Sequence, residues 1–309
     1  HYMGEIDGAF RAWGLPIGGM GGISETIGRA AQAFGAEIRT SAEVSKFLCD
    51  SQRVQGVRLA SGEEIRAKVV LSGLDPQRTF VQLLGSEHLD KNFATDLRNF
   101  KYRGSSGKVN MAVDRLPSFA CLPGDGIHLR GDISIAPSVE YLERAYDDAK
   151  YGDFSKRPFI NVVVPSVMDP TMAPHGKHVI SCFVQYAPYQ LREGNWDDKR
   201  EAFGDAVVDT LSEYIPNLKA SILHRQVVTP LDLEREFGLT EGNIFQGELS
   251  LEQMFFLRPS ADWARYRTPM HGLYMCGSAV HPGGGVMGAP GMIGALEVLS
   301  EMGASFGRN

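Results

Sequence analysis

Glycine constrains this chain more than any other residue, because its 35 among 309 residues exceed the ordinary share and gather in clusters, which argues for special backbone sites. Gly18, Gly19, Met20, Gly21 and Gly22, within the run LPIGGMGG, precede Ile23, Ile27, Ala30, Ala31 and Phe34 at helical spacing, and Gly35 stands where that helix should end. Gly283, Gly284, Gly285 and Gly288, within GGGVMG, lie between a short apolar run, LYMCG, and a second helical repeat expected to bury Met292, Ile293, Leu296 and Leu299. A loop without Cβ atoms that opens a helix lets a flat or charged ligand reach main-chain N–H groups and the positive end of the helix dipole. The same pattern also serves a turn that merely lets a strand and a helix pack closely, and both readings stay open for each loop. GGGVMG fits GxGxxG, yet a dinucleotide fingerprint needs a further strand with an acidic residue about 20 positions on, and only one helical repeat follows here.

Between the loops the texture changes twice. After Ala36 come AEIRT, EVSKFLCD, RVQGVRLA and EEIRAKVVLSG, separated by the turn-prone pairs Asp50-Ser51 and Ser61-Gly62, which predicts a small antiparallel meander. Asp75 followed by Pro76 predicts a capped helix to Leu84, with a second helical stretch over about 87–100. From about 101 to 253, the apolar strands KVNMAVD, PFINVVVPSV and KHVISCFVQYAP alternate with helices whose polar faces are acidic. The clearest of these starts at Asn195, places Asp197 and Asp198 in its first turn, carries Phe203, Val207, Leu211 and Tyr214 on one face, and stops before Pro216. The expected fold is mixed α/β. One domain is built from both chain ends, 1–78 and 258–309, and a substrate-type domain of mixed or antiparallel sheet plus helices, 79–257, is inserted into it.

Several functional classes fall away. With 31 Lys and Arg against 37 Asp and Glu, the chain carries no overall basic charge to attract nucleic acid. No run approaches the roughly 18 apolar residues of a membrane span; peripheral membrane contact and homo-oligomer formation stay open. Residues 1–10 have neither the basic start nor the apolar stretch of a signal peptide; no organelle is identified, and a soluble intracellular protein, cytoplasmic if bacterial, is the expectation. Cys49, Cys121, Cys182 and Cys276 are too far apart for a CxxC site and read as reduced core thiols. No metal site is expected, since Asp197, Asp198 and Asp205 read as partners of a helix dipole. Ser72 lacks a GxSxG elbow. His281, beside the second glycine loop, is the one weak catalytic candidate; a ring packed against the loop is the simpler role. The QMFFL stretch, 253–257, reads either as strand core or as the wall of an apolar pocket.

PIGGMGGISETI, GAEIRTSAEV, AKVVLSGLDP and GLYMCGSAVHPGGGVMGAPG, taken together and in this order, resemble the phytoene-desaturase-like FAD-dependent oxidoreductases, and the resemblance covers nearly the whole chain. It implies FAD as cofactor and a FAD/NAD(P)-binding-type domain that is incomplete here. Members are longer and begin with a βαβ unit carrying the true GxGxxG, so this chain is expected to be their C-terminal portion. By position, Val44 corresponds to the valine whose backbone meets the adenine, and Gly277 with Ser278 to the pyrophosphate-side turn. Pro282, Gly283, Gly284, Gly285, Val286, Met287 and Gly288 correspond to the segment beside the flavin ring. Ser72 and Gly73 end a strand close to the cofactor, and Gly18 to Gly22 border the flavin or the substrate cavity. The implied activity of the intact parent is hydride transfer from an apolar small molecule to flavin N5, with the isolated chain inactive. Gln246 stands where many relatives have histidine, which removes a proton carrier there. The competing expectation is a module derived from a flavoprotein that binds a partner or a hydrophobic ligand without cofactor.

Overall fold

The computed structural model describes residues 14–286 and 288–303, together with the backbone of 5, 6, 9 and 10. In chain order the elements are strands β1 (Glu5–Ile6) and β2 (Ala9–Phe10), helix α1 (Gly21–Ala33), and strands β3 (Val44–Cys49), β4 (Val54–Leu59), β5 (Glu64–Arg66) and β6 (Val70–Ser72). A π-helical segment, Gln77–Leu84, and α2 (Lys91–Asn99) lead into β7 (Ser106–Val113), β8 (Ile133–Ile135), α3 (Val139–Lys150), β9 (Phe159–Val163) and α4 (Pro165–Met168). Then come β10 (His178–Gln185), α5 (Trp196–Ser212), α6 (Leu218–Ser221), β11 (Ile222–Val228), α7 (Pro230–Phe237), β12 (Leu273–Met275) and α8 (Ala289–Glu301). The mixed α/β class expected from the sequence is what forms. Among the described residues, no helix is long and apolar enough to cross a membrane.

The chain divides into two compact units, His1–Ile38 with Gly104–Leu233, and Arg39–Arg103 with Glu234–Asn309. Contacts thus draw the boundaries near 104 and 233 where the sequence suggested 79 and 257, and they group the first glycine loop with the middle strands.

The first unit is organised by an antiparallel sheet of order β11-β7-β10-β9-β8. Alternation along β10 buries Ile180, Cys182 and Val184 while their neighbours stay partly exposed, the period-two signature of a sheet with one dry face. Helix α5 covers that face. Asn195 caps it by accepting the Asp198 amide at 3.0 Å, and Phe203, Val207 and Leu211 are fully buried. Close approach is possible because two contacts lack side chains: a Cβ on Gly107 would lie 2.8 Å from the Phe203 ring, and one on Gly204 would lie 2.6 Å from Val227.

The second unit contains the meander β3-β4-β5 and a parallel pair, β6 with β12. Its core gathers Phe47, Phe80, Leu84, Phe93, Leu273 and Met275. Two strand expectations change. AEIRT is not a strand, since an extended stretch joins a ladder only where a neighbour takes its N–H and C=O groups. EEIRAKVVLSG breaks into β5, antiparallel to β4, and β6, parallel to β12.

Burial corrects two other readings. Cys182 is a core thiol and Cys49 and Cys276 are partly covered, but Cys121 is exposed. In α8, Met292, Leu296 and Leu299 are 62%, 42% and 40% exposed, while Pro290, Gly294 and Val298 are buried. Gly294 lies against Cys276, where the helix approaches its strand most closely, with Val298 buried and Ile293 packed on the core beside it. Helix α1 ends as expected, with Phe34 as C-cap and Gly35 at φ 91°, yet none of its residues is buried.

Candidate functional site

In the second unit, the parallel strands β6 and β12 bring Ser72-Gly73 and Gly277-Ser278 side by side, with the Cys276 amide donating to the Ser72 carbonyl at 2.8 Å. Contact is so close that a Cβ on Gly277 would stand 2.3 Å from the Gly73 oxygen. Gln246 fastens the pair: its Nε2 donates to the Gly73 carbonyl at 2.9 Å, and its Oε1 accepts the Ala279 amide at 3.1 Å. The side chain that replaces an expected histidine is therefore a main-chain bridge.

Arg258 supports the same region from below. It is 1% exposed, and its guanidinium donates to five carbonyls, those of Phe245, Gly247, Glu248, Gln253 and Ser278. Phe100 lies 5.6 Å from the charge. Burial lowers the Arg258 pKa to about 10, because carbonyl dipoles offset only part of the lost hydration.

The loop that follows Ser278 turns on positive-φ glycines, Gly283 at 90°, Gly285 at 153° and Gly288 at 66°. Gly283 and Gly284 are buried, Pro282 is partly buried, and Gly285, Val286 and Gly288 are exposed. Gly284 has no room for a side chain, since a Cβ would sit 2.7 Å from Phe245. Gly288 caps α8 without any side-chain hydrogen bond, and a Cβ on Gly288 or Gly291 would meet nothing within 4 Å. In the first turn of α8 the Ala289 and Gly291 amides have no intrahelical acceptor, and Pro290 carries no N–H. Met287 lies outside the described residues. His281 is exposed; Tyr266 donates its hydroxyl to the His281 carbonyl, and the imidazole lies 6.0 Å from the Phe255 ring.

Two grooves belong to this unit. One, of about 650 Å³, is lined by Val44, Ser72 and Gly73 together with Leu74, Phe237 and Arg78. Ser72 turns its hydroxyl inward to Thr79 at 2.7 Å, leaving backbone at the groove wall. The other, of about 1040 Å³, is lined by Phe255, Phe256, Trp263, Tyr266, His281 and Ile293. QMFFL is not strand core: it forms two short 3-10 turns, with Phe255 and Phe256 56% and 74% exposed.

The first glycine loop is held within the first unit. Gly18 donates its amide to Asp169 at 2.6 Å, and a Cβ on Gly19 would lie 3.8 Å from the Met172 side chain. The Thr171 hydroxyl, with the Gly18 amide, holds the Asp169 carboxyl below its ordinary range. Met20 and Gly21 are exposed and Gly22 is partly so.

Of the residues singled out from sequence, Val44, Ser72 and Gly73 share a groove, Gly73 meets Gly277, and Ser278 lies beside Gly284. Gly18 to Gly22 belong to the other compact unit. Arg78 and Arg258 were missed as contributors, and Gln246 was read only as the loss of a proton carrier. A signal existed for Arg78: it is a cation in the first turn of a helical segment, where the dipole disfavours one. The Arg258 carbonyl contacts have no sequence signature.

No family model matches the sequence. Pyridine nucleotide-disulfide oxidoreductase domain-containing protein 2 of Rattus norvegicus is 45% identical over 98% of the chain, which spans 54% of that relative. The neurosporene-forming phytoene desaturase of Cereibacter sphaeroides is 27% identical over 93% of the chain and 53% of its own length. The crystal structure of an oxidoreductase from Methanosarcina mazei has the same fold, with a TM-score of 0.60 at 21% identity over 94% of this chain and 56% of that one. The chain spans about half the length of the curated relatives it matches. The collinear motifs, the mixed α/β units and these likenesses agree: over nearly its whole length the chain resembles the phytoene-desaturase-like oxidoreductases, and pyridine nucleotide-disulfide oxidoreductase domain-containing protein 2 in particular.

Proposed function

We propose that this chain is the part of an FAD-dependent oxidoreductase that presents main-chain groups to the flavin nucleotide. Val44, Ser72 and Gly73 line its adenosine portion, Gly277 and Ser278 its pyrophosphate side, and Pro282 to Gly288 its ring. The observation that carries this reading is open space where side chains would stand: a Cβ on Gly73, in the groove wall with Val44 and Ser72, or on Gly288, which opens α8 without a side-chain cap, would meet nothing within 4 Å. Bound flavin would supply the acceptor, N5, for a hydride from a C–H bond of an apolar substrate.

The chain's own residues would bind, orient and keep water away. The α8 amides favour negative charge in front of them, as a reduced ring requires at its pyrimidine edge. Gln246 and Arg258 hold the two strand ends and the preceding turn in place. Phe255, Phe256 and Trp263 offer an apolar wall suited to a hydrocarbon guest, with the His281 ring packed on Phe255.

The test is colour. Protein produced at the relatives' full length is expected to purify with flavin absorbance, whereas the 309-residue chain retains FAD weakly or not at all. A well-folded full-length protein that is colourless and indifferent to added FAD overturns the reading in favour of the cofactor-free module.

A further inference from the structure

We infer that Arg78 is the anion receptor of the groove formed by Val44, Ser72 and Gly73, and that the groove's ligand is a nucleoside phosphate. This rests on the flavin-nucleotide reading of the groove and adds a residue that the reading does not contain. The Arg78 Nε is buried and has no hydrogen-bond partner, and its side chain forms no ion pair among the described residues. The other partly buried or buried arginines behave differently: Arg200 is paired with Asp232 at 2.6 Å, Arg225 with Asp205 at 2.7 Å, and Arg258 with backbone carbonyls. A covered guanidinium donor without an acceptor is unfavourable unless a ligand supplies one.

The surroundings hold the cation in place. Gly238, at φ 65°, backs the guanidinium so closely that a Cβ there would lie 3.1 Å from Cζ. Asp75 is not its ion-pair partner: one carboxylate oxygen takes the Arg78 main-chain amide at 2.9 Å, and the other takes the Thr240 hydroxyl at 2.7 Å. Glu43, exposed, is the one carboxylate among the groove's lining residues. Arg78 also sits in the first turn of the Gln77–Leu84 segment, where the helix field adds to its own attraction for an anion. Val44, Leu74 and Phe237 give the same groove apolar walls for a flat base. A planar fork beside such walls matches a base carrying phosphate, since guanidinium binds phosphate oxygens bidentately.

The experiment is an NMR titration of the labelled 309-residue chain with ADP, adenosine, FMN and FAD, which reads weak binding directly. ADP and FAD are expected to shift the Val44 and Gly73 amides and the Arg78 Nε–H, with ADP binding about tenfold or more tighter than adenosine. FMN, which lacks the adenosine half, is expected to leave them unmoved. Arg78→Ala should bring ADP to the level of adenosine while the adenosine affinity and the Tm hold, and Arg78→Lys should recover part of the difference. Equal affinities for ADP and adenosine in the parent chain, or an unchanged preference for ADP in Arg78→Ala, overturn the role of Arg78 and leave the groove reading standing. If neither ADP nor adenosine moves the Val44 and Gly73 amides, the groove reading fails and this inference with it.

Discussion

The five-stranded unit and the glycine-loop unit hold themselves together in different ways. In the first, side chains meet side chains: Phe203 lies 5.5 Å from the Trp196 ring and 5.6 Å from Phe154, over a sheet face of buried aliphatics. In the second, around β6 and β12, the decisive contacts are between main-chain atoms, or from a polar side chain to the main chain, as with Gln246 and Arg258. Side-chain packing yields a sealed core. Main-chain packing leaves surface on which a ligand can approach amides and carbonyls, which is where the candidate site lies.

This contrast can be broken by mutation. Phe203→Ala should produce the largest loss of stability, about 3–5 kcal/mol for a truncated buried aromatic, read by chemical denaturation. If the loss is below about 1 kcal/mol, the first unit does not depend on its core as described.

Asp232→Asn comes next, and it carries a pH signature. Burial by itself would raise the Asp232 carboxyl, but the Arg200 fork at 2.6 Å and the Thr229 amide and hydroxyl at 2.8 Å outweigh it and hold the pKa low. A carboxylate whose folded pKa is depressed adds stability that is present above its unfolded value, about 4, and lost as pH falls through the folded one. Asp232→Asn should therefore cost about 1.5–3 kcal/mol at pH 7, and the gap between parent and variant should close on acidification below pH ~4. A gap of the same size at pH 3 would show that the carboxylate charge is not what matters.

Gly277→Ala should cost about 1–3 kcal/mol for a forced overpacking, since its methyl would stand 2.3 Å from the Gly73 oxygen. Its effect should fall on ligand binding: flavin content of the full-length protein should drop more than in Phe203→Ala purified at equal folded fraction. Unchanged flavin content would remove the Gly73–Gly277 contact from the site.

Much of the fold was legible from the sequence where one neighbour explains the pattern. The Asn195 cap, the face of Phe203, Val207 and Leu211, and the strands around Ile180 follow from local spacing, and all are found. Legibility failed where pairing decides: AEIRT and the split between β5 and β6 depend on which strand lies alongside, which no short window contains. Apolar spacing in α8 gave the helix but not its full orientation, because Pro290, Gly294 and Val298 are its buried residues and Ile293 packs on the core, while Met292, Leu296 and Leu299 are exposed. At the site, glycine clustering led to the loop 283–288 and a family resemblance to Val44, Gly277 and Ser278, while Arg78 is recognisable only once its missing partner can be seen.

Because Arg258 grips carbonyl oxygens from several successive turns, none of its contacts depends on what side chains those residues bear. An exchange at Glu248 would leave the Arg258 grip on its carbonyl in place, whereas Gln253 also holds the Lys101 main chain through its own side chain and Phe245 packs against Gly284. A region built in this manner can diverge in the ligand it accepts while the platform under it stays the same.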